Sequence, residues 1–271
     1  MQLSISNIAW ELSQEESIAG LLRDAGLRQI DIAPGKYFTD PEAATPQEVL
    51  SVRNLWQERG FTIRGMQSLL FGTSGLNLFD DRDGVMFRRL AAICRLGGDL
   101  GVHALTFGSP RQRDRGSRTD AETAAIATDF FGRIGDVAAS AGVLFCLEPN
   151  PPRYGCNYMT GTDETAGVVA ALDHPAVKLQ LDVGAIAIND EDAGAVIRRH
   201  AALIGHVHAS EPGLVTLGDG GAPHAAAGQA LRHVRPELTV TIEMLAGPGS
   251  SPANEVSRAL ALAQAHYGEM S

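Results

Sequence analysis

Four side chains in the second half of the sequence carry the types and spacing of a metal site. Glu148, Asp182, His208 and Glu243 each stand at the end of a short β-rich run, and successive members lie 34, 26 and 35 residues apart. Each interval is about one strand-plus-helix repeat, so the four would sit at the same level on four adjacent parallel strands and converge on one point. A single acidic residue after a strand is most often a helix cap or half of a loop ion pair. Three carboxylates and an imidazole at one point repel unless something neutralises them, and a divalent cation does so. Oxygen-rich ligation with a single nitrogen suits Mn2+ first, with Mg2+, Co2+, Fe2+ or Zn2+ as alternatives, and argues against a thiolate site. Open coordination positions would accept substrate oxygens.

The elements that must position these residues follow from an alternation of β-rich and Ala/Leu-rich amphipathic segments. Strands are expected at 2–8, 27–33, 61–66, 102–107, 143–147, 177–181, 203–207 and 238–242. Helices are expected at 14–25, 46–59, 82–100, 119–141, 163–172, 191–200, 223–234 and 252–267. Thr45 followed by Pro46 reads as an N-cap and a first helical position, and Gly26, Gly60, Gly101 and Gly142 follow expected helices as terminators. Eight such repeats in 271 residues, with no spare strand, predict one (β/α)8 barrel domain over 1–271. The turn after the first strand, Ser6 to Trp10, has none of the glycines of a dinucleotide fold. The irregular segments 71–83, 109–118, 149–161 and 210–222 follow strands, as loops of a catalytic face do.

Composition narrows the partners. A net charge of −10 disfavours docking on duplex nucleic acid. No apolar run approaches the ~20 residues that span a bilayer. Cys94, Cys146 and Cys156 match neither a zinc knuckle nor a redox pair, and reduced thiols are expected. The first ten residues lack the basic and apolar regions of a secretory leader, so a cytoplasmic location is expected.

The motifs Leu147–Asn150 (LEPN), Leu181–Gly184 (LDVG), Gly205–Glu211 (GHVHASE) and Thr241–Met244 (TIEM) together resemble the xylose-isomerase-like barrel superfamily. Within it, they are most similar to the sugar phosphate isomerase/epimerase group that includes the ketose 3-epimerases. The resemblance covers essentially the whole chain. It implies Glu148, Asp182, His208 and Glu243 as ligands of one divalent metal, with Glu148 and Glu243 doubling as the acid/base pair. The implied activity is isomerisation or epimerisation of a carbohydrate through an enediolate. A dehydratase or lyase resembling the inosose dehydratases, and a non-catalytic sugar-binding barrel, stand as alternatives. The pattern departs from many relatives at Ala185, where they carry a histidine that helps hold substrate. The strand ends Gly65-Met66-Gln67 and Leu105 to Gly108 lack the histidines that three-metal DNA-repair endonucleases of the superfamily require.

Secondary candidates for substrate contact are His206, Glu211, Arg113, Lys36, Trp10, Phe107 and Arg153. His206 points to the same side of its strand as His208, either into the substrate site or into the barrel lumen beneath it. Glu211 would orient His208, bind a substrate hydroxyl, or lie on a surface loop. Arg111, Arg113, Arg115, Arg153 and Lys36 suggest a small anionic carbohydrate substrate, unless they are loop charges paired with acids such as Asp114. Trp10, Tyr37, Phe71 and Phe107 are candidates for an apolar wall against a sugar face, or for packing at the barrel rim. A homo-oligomer is a further expectation from the resemblance.

Overall fold

A computed structural model of the chain describes residues 1–247 and 251–268. Its centre is an eight-stranded parallel sheet in the order β1-β8-β7-β6-β5-β4-β3-β2. The strands are β1 (Gln2–Ile5), β2 (Gln29–Ile32), β3 (Thr62–Met66), β4 (Ala104–Phe107), β5 (Leu144–Leu147), β6 (Val177–Asp182), β7 (Ile204–Ser210) and β8 (Thr239–Glu243). A single parallel bridge, Ser6 to Asp31, joins the two ends and closes the (β/α)8 barrel. Around it run α1 (Glu15–Asp24), α2 (Pro46–Glu58), α3 (Val85–Leu100), α4 (Asp120–Ala141), α5 (Thr162–Leu172), α6 (Val183–Ile188), α7 (Ala193–His200), α8 (His224–Val234) and α9 (Pro252–Tyr267). Among the described residues no helix is long and apolar enough to cross a membrane.

Local chemistry sets the boundaries. Thr45 and Glu48 form a reciprocal capping box at the start of α2, and Thr119 and Glu122 form another at α4. Gly142 ends α4 with φ 72°, a left-handed conformation that costs a residue with a Cβ about 1 kcal/mol or more. The first strand stops at Ile5 rather than continuing to residue 8. The Ser6 hydroxyl accepts from the Ile8 amide and turns the chain into a 3-10 turn over Asn7–Ala9. Asn7 then accepts from the Ala33 amide (2.8 Å) and donates to the Tyr37 hydroxyl (3.0 Å), tying the ends of β1 and β2 together.

The segment after β6 differs from expectation. In place of one helix over 191–200 there are two, α6 and α7. The run Val183–Ile188 is apolar throughout and carries no amphipathic signal in sequence. It becomes a helix because Asp182 caps it, accepting from the Ala185 amide at 2.5 Å.

The outer strand faces pack against the helices in a continuous apolar shell. Phe107 belongs to it, with ring centroids 5.7 Å from Phe131 of α4 and 5.6 Å from Phe145 of β5. Its expected role as a substrate wall is therefore corrected: the ring points away from the lumen and is fully buried.

The barrel interior has a polar layer. Ser4 donates to Asp31 (3.0 Å), Asp31 meets His206 (3.1 Å), His206 contacts Thr241 (3.3 Å), and Thr106 donates to Gln180 (3.1 Å). The Asp31–His206 and Thr106–Gln180 contacts join strands that are not neighbours in the sheet, so they cross the lumen.

Candidate metal centre

Directly above that polar layer, Glu148, Asp182, His208 and Glu243 each place one ligand atom within 4.8 Å of the others. Strand register accounts for it: Asp182 lies opposite His208 across β6 and β7, and Ser210 opposite Glu243 across β7 and β8. Glu148 follows β5, with its amide donating to the Phe107 carbonyl at 3.2 Å.

His208 Nδ1 stands 3.2 Å from Glu148 Oε1 and 3.3 Å from Glu243 Oε2. Neither ring nitrogen makes an aligned hydrogen bond, and Glu148 Oε1 makes none either. His208 Nδ1 and Glu148 Oε1 therefore face a common point rather than each other. Donors ~2.1 Å from one cation are ~3.0–3.4 Å apart along an edge of its coordination shell, which is the spacing of His208 Nδ1 from the two glutamates. The donor set thus fits a divalent metal.

Each carboxylate has a second restraint. Glu148 Oε2 accepts from Asn150 Nδ2 (3.3 Å), and Glu243 Oε1 accepts from Gln67 Nε2 (2.6 Å). Asp182 Oδ2 accepts from the Ser210 hydroxyl (2.6 Å), while its Oδ1 caps α6. Gly108 is the seat of Glu148: a Cβ on it would stand 2.3 Å from Glu148 Oε2, so only glycine leaves that oxygen its position.

Electrostatics point the same way. Burial, reinforced by the charges of Glu148 and Glu243, pushes the Asp182 carboxyl up to about 8. Burial alone would lower the proton affinity of His208, but Glu243 and Glu148 outweigh it and raise the imidazole well above its usual range. Burial also works to raise Glu243, and the facing His208, with help from Gln67, holds it below the usual carboxylate range. The cluster is short of positive charge, and a dication supplies it.

Glu148, Asp182 and Glu243 form the floor of a cavity of about 600 Å3, with His208 buried beneath them, and its walls include Pro110, Arg111, Arg153, Tyr154, Ala185 and Leu214. The other expected contacts separate clearly. Arg153 and Glu211 line the cavity. Glu211, however, is nearly sealed, and its carboxylate accepts from the Gly218 and Ala222 amides and faces His224, so it braces its own loop. His206 lies in the lumen layer against Asp31.

Arg113 is a second correction. Its side chain is wholly buried, donates to the Glu148 carbonyl (2.8 Å) and covers the Phe107 ring. It supports the backbone of Glu148 and does not line the cavity. Lys36 donates to the Asn7 and Trp10 carbonyls, and neither Lys36 nor Trp10 lines the cavity.

The sequence reading missed Gln67, Asn150 and Ser210 as restraints. Gln67 is one residue past β3, Ser210 ends β7, and Asn150 is three residues past β5; Gln67 stands in a strand end read only for its lack of a histidine, and the other two in motifs read for their charged members.

The sequence matches the family described as the xylose isomerase-like TIM barrel over residues 19–266. The chain belongs to this family. A D-psicose 3-epimerase of Ruminiclostridium cellulolyticum is 30% identical over 124 residues, a stretch covering 45% of this xylose isomerase-like chain and 42% of that enzyme. The chain thus aligns with less than half the length of that relative. Among solved structures, a D-psicose 3-epimerase crystallised in the presence of D-fructose has a TM-score of 0.80 at 19% identity, covering 99% of this chain and 100% of the other. A 3-keto-D-glucoside 4-epimerase from E. coli has a TM-score of 0.78 at 17% identity, covering 98% and 99%. At these identities the structural likeness establishes the fold.

Proposed function

We propose that this protein is a metal-dependent isomerase or epimerase of a carbohydrate, acting by proton transfer through an enediolate. One observation carries the reading: Glu148 and Glu243 each turn one oxygen to a shared point beside His208, while an amide side chain holds the other. Two restrained carboxylates at the floor of an open cavity suit removal and return of a proton. A mere binding site has no need of them.

A divalent cation, Mn2+ in the first instance, would be held by Glu148, Asp182, His208 and Glu243, and would supply Lewis-acid polarisation of a substrate carbonyl. Asp182, fixed at both oxygens, orients without moving a proton. One glutamate takes the proton next to the carbonyl, and the other delivers one to the opposite face, which inverts that carbon. Delivery to the neighbouring carbon gives aldose–ketose exchange instead. Likeness to a 3-epimerase and a 4-epimerase supports inversion.

The test is incubation of Mn2+-loaded protein with a panel of ketoses in deuterated water. Deuterium incorporation with unchanged carbon skeleton is expected, and Glu243→Gln should abolish it. Loss of water from the product identifies a dehydratase. Absence of exchange across the panel, with metal bound, leaves a binding barrel as the reading.

A further inference from the structure

The loop after β4 carries four arginines, and the structure sorts them. Arg113 is buried against the Glu148 carbonyl. Arg115 donates to the Arg118 carbonyl and pairs with Asp120. Arg118 donates to the Phe79 carbonyl at 2.7 Å. Arg111 alone of the four is exposed to the cavity, and among the described residues its guanidinium meets no carboxylate or carbonyl. Arg153, on the loop after β5, is in the same condition on the same cavity.

The two are presented alike. Arg111 lies in the 3-10 turn Pro110–Arg113 and Arg153 in the 3-10 turn Pro152–Tyr154, each directly after the proline that opens the turn. Proline fixes φ and reduces the backbone freedom that would be lost on binding. The second turn is pinned further, since the Tyr154 hydroxyl accepts from the Gly213 amide (2.9 Å) and links the loops after β5 and β7. The acids of the cavity floor are committed to the metal centre or to its loops. Two unpaired guanidinium groups, carried on proline-stiffened turns over a cavity in a chain of net charge −10, are therefore suited to an incoming anion.

Resting on the carbohydrate reading above, we infer that the substrate carries an anionic group, a phosphate or a carboxylate, gripped by Arg111 and Arg153 away from the metal-binding end.

The test is calorimetric binding of D-fructose, D-fructose 6-phosphate and D-fructuronate to the Mn2+-loaded protein. It is repeated with Arg111→Ala, Arg153→Ala and the double variant. Because both side chains are exposed and unpaired, the variants should melt with the wild type. At least one anionic ketose should bind ~10-fold or more tightly than D-fructose, the advantage vanishing in the double variant. The stronger of the two anionic probes names the group. Equal binding of neutral and anionic ketoses, persistence of the advantage in the double variant, or no binding of either anion overturns the inference. Binding is read apart from turnover. Proton exchange on D-fructose with no preference for anions would leave the proposed function standing, and arginine-dependent binding without exchange would do the reverse.

Discussion

Two layers of the barrel interior use the same residue types to opposite ends. In the lower layer Asp31 stands 3.1 Å from His206 and accepts from the Ser4 hydroxyl, with both side chains almost sealed and one nitrogen of His208 within 4.8 Å of them. Burial works to raise Asp31, but His206, with help from His208 and Ser4, outweighs it and holds the carboxyl low, so one carboxylate has two histidines near it. In the upper layer, three carboxylates share one histidine beneath an open cavity, and the balance fails by design. An Asp or His in a barrel lumen is thus not in itself a functional mark. What separates the upper layer is its surplus of carboxylates over histidines, since ligand atoms converge in both layers.

The difference can be broken in order of effect. Glu148→Gln/Asp182→Asn should weaken Mn2+ binding more than ~1000-fold by calorimetry, since two of four donors lose their charge. An unchanged site would show that the upper layer is not the metal centre. Asp31→Ala should instead destabilise the metal-free fold by ~3–5 kcal/mol in urea titration, because it strands a buried histidine. Metal affinity should stay within a few-fold, and abolished binding would join the two layers into one centre.

Stripping the metal bears on the upper layer alone. Saturation at ~100 times Kd should stabilise the protein by ~2.7 kcal/mol, with a matching rise in Tm that a chelator reverses. No such shift in the wild type would remove the charge argument.

Gly108→Ala sharpens the comparison, because its Cβ would displace Glu148 Oε2 without touching the lower layer. A ~10–100-fold loss of metal affinity at nearly unchanged stability is expected. Gln67→Leu should give the smallest effect, about tenfold in kcat, through the freed Glu243; a loss confined to KM would assign Gln67 to substrate instead.

The fold and the four strand-end residues were legible because their signals are local or periodic. Helix caps such as Thr45 act within three residues, strand patterns alternate by two, and a recurring βα repeat puts residues near one height whatever the loops do. The α6 helix was not legible, because its only signal is Asp182, a residue with a second employment. Phe107 and Arg113 were misplaced for a related reason. Which face of a strand end or loop a side chain takes depends on what packs behind it, here Phe131, Phe145 and the Glu148 carbonyl.

The sequence by itself determined the eightfold repeat, the identity of the four strand-end residues that converge and the excess of carboxylates among them. Only the tertiary structure decided which donors are held and by what, as with Gln67 and Glu243, 176 residues apart and joined at 2.6 Å. It alone also separated Arg111 and Arg153 from the arginines already spent on the fold. The physical reason is that residue type and spacing are properties of the chain, whereas the partner of a polar atom is set by barrel closure, which brings strands together without regard to their distance in sequence.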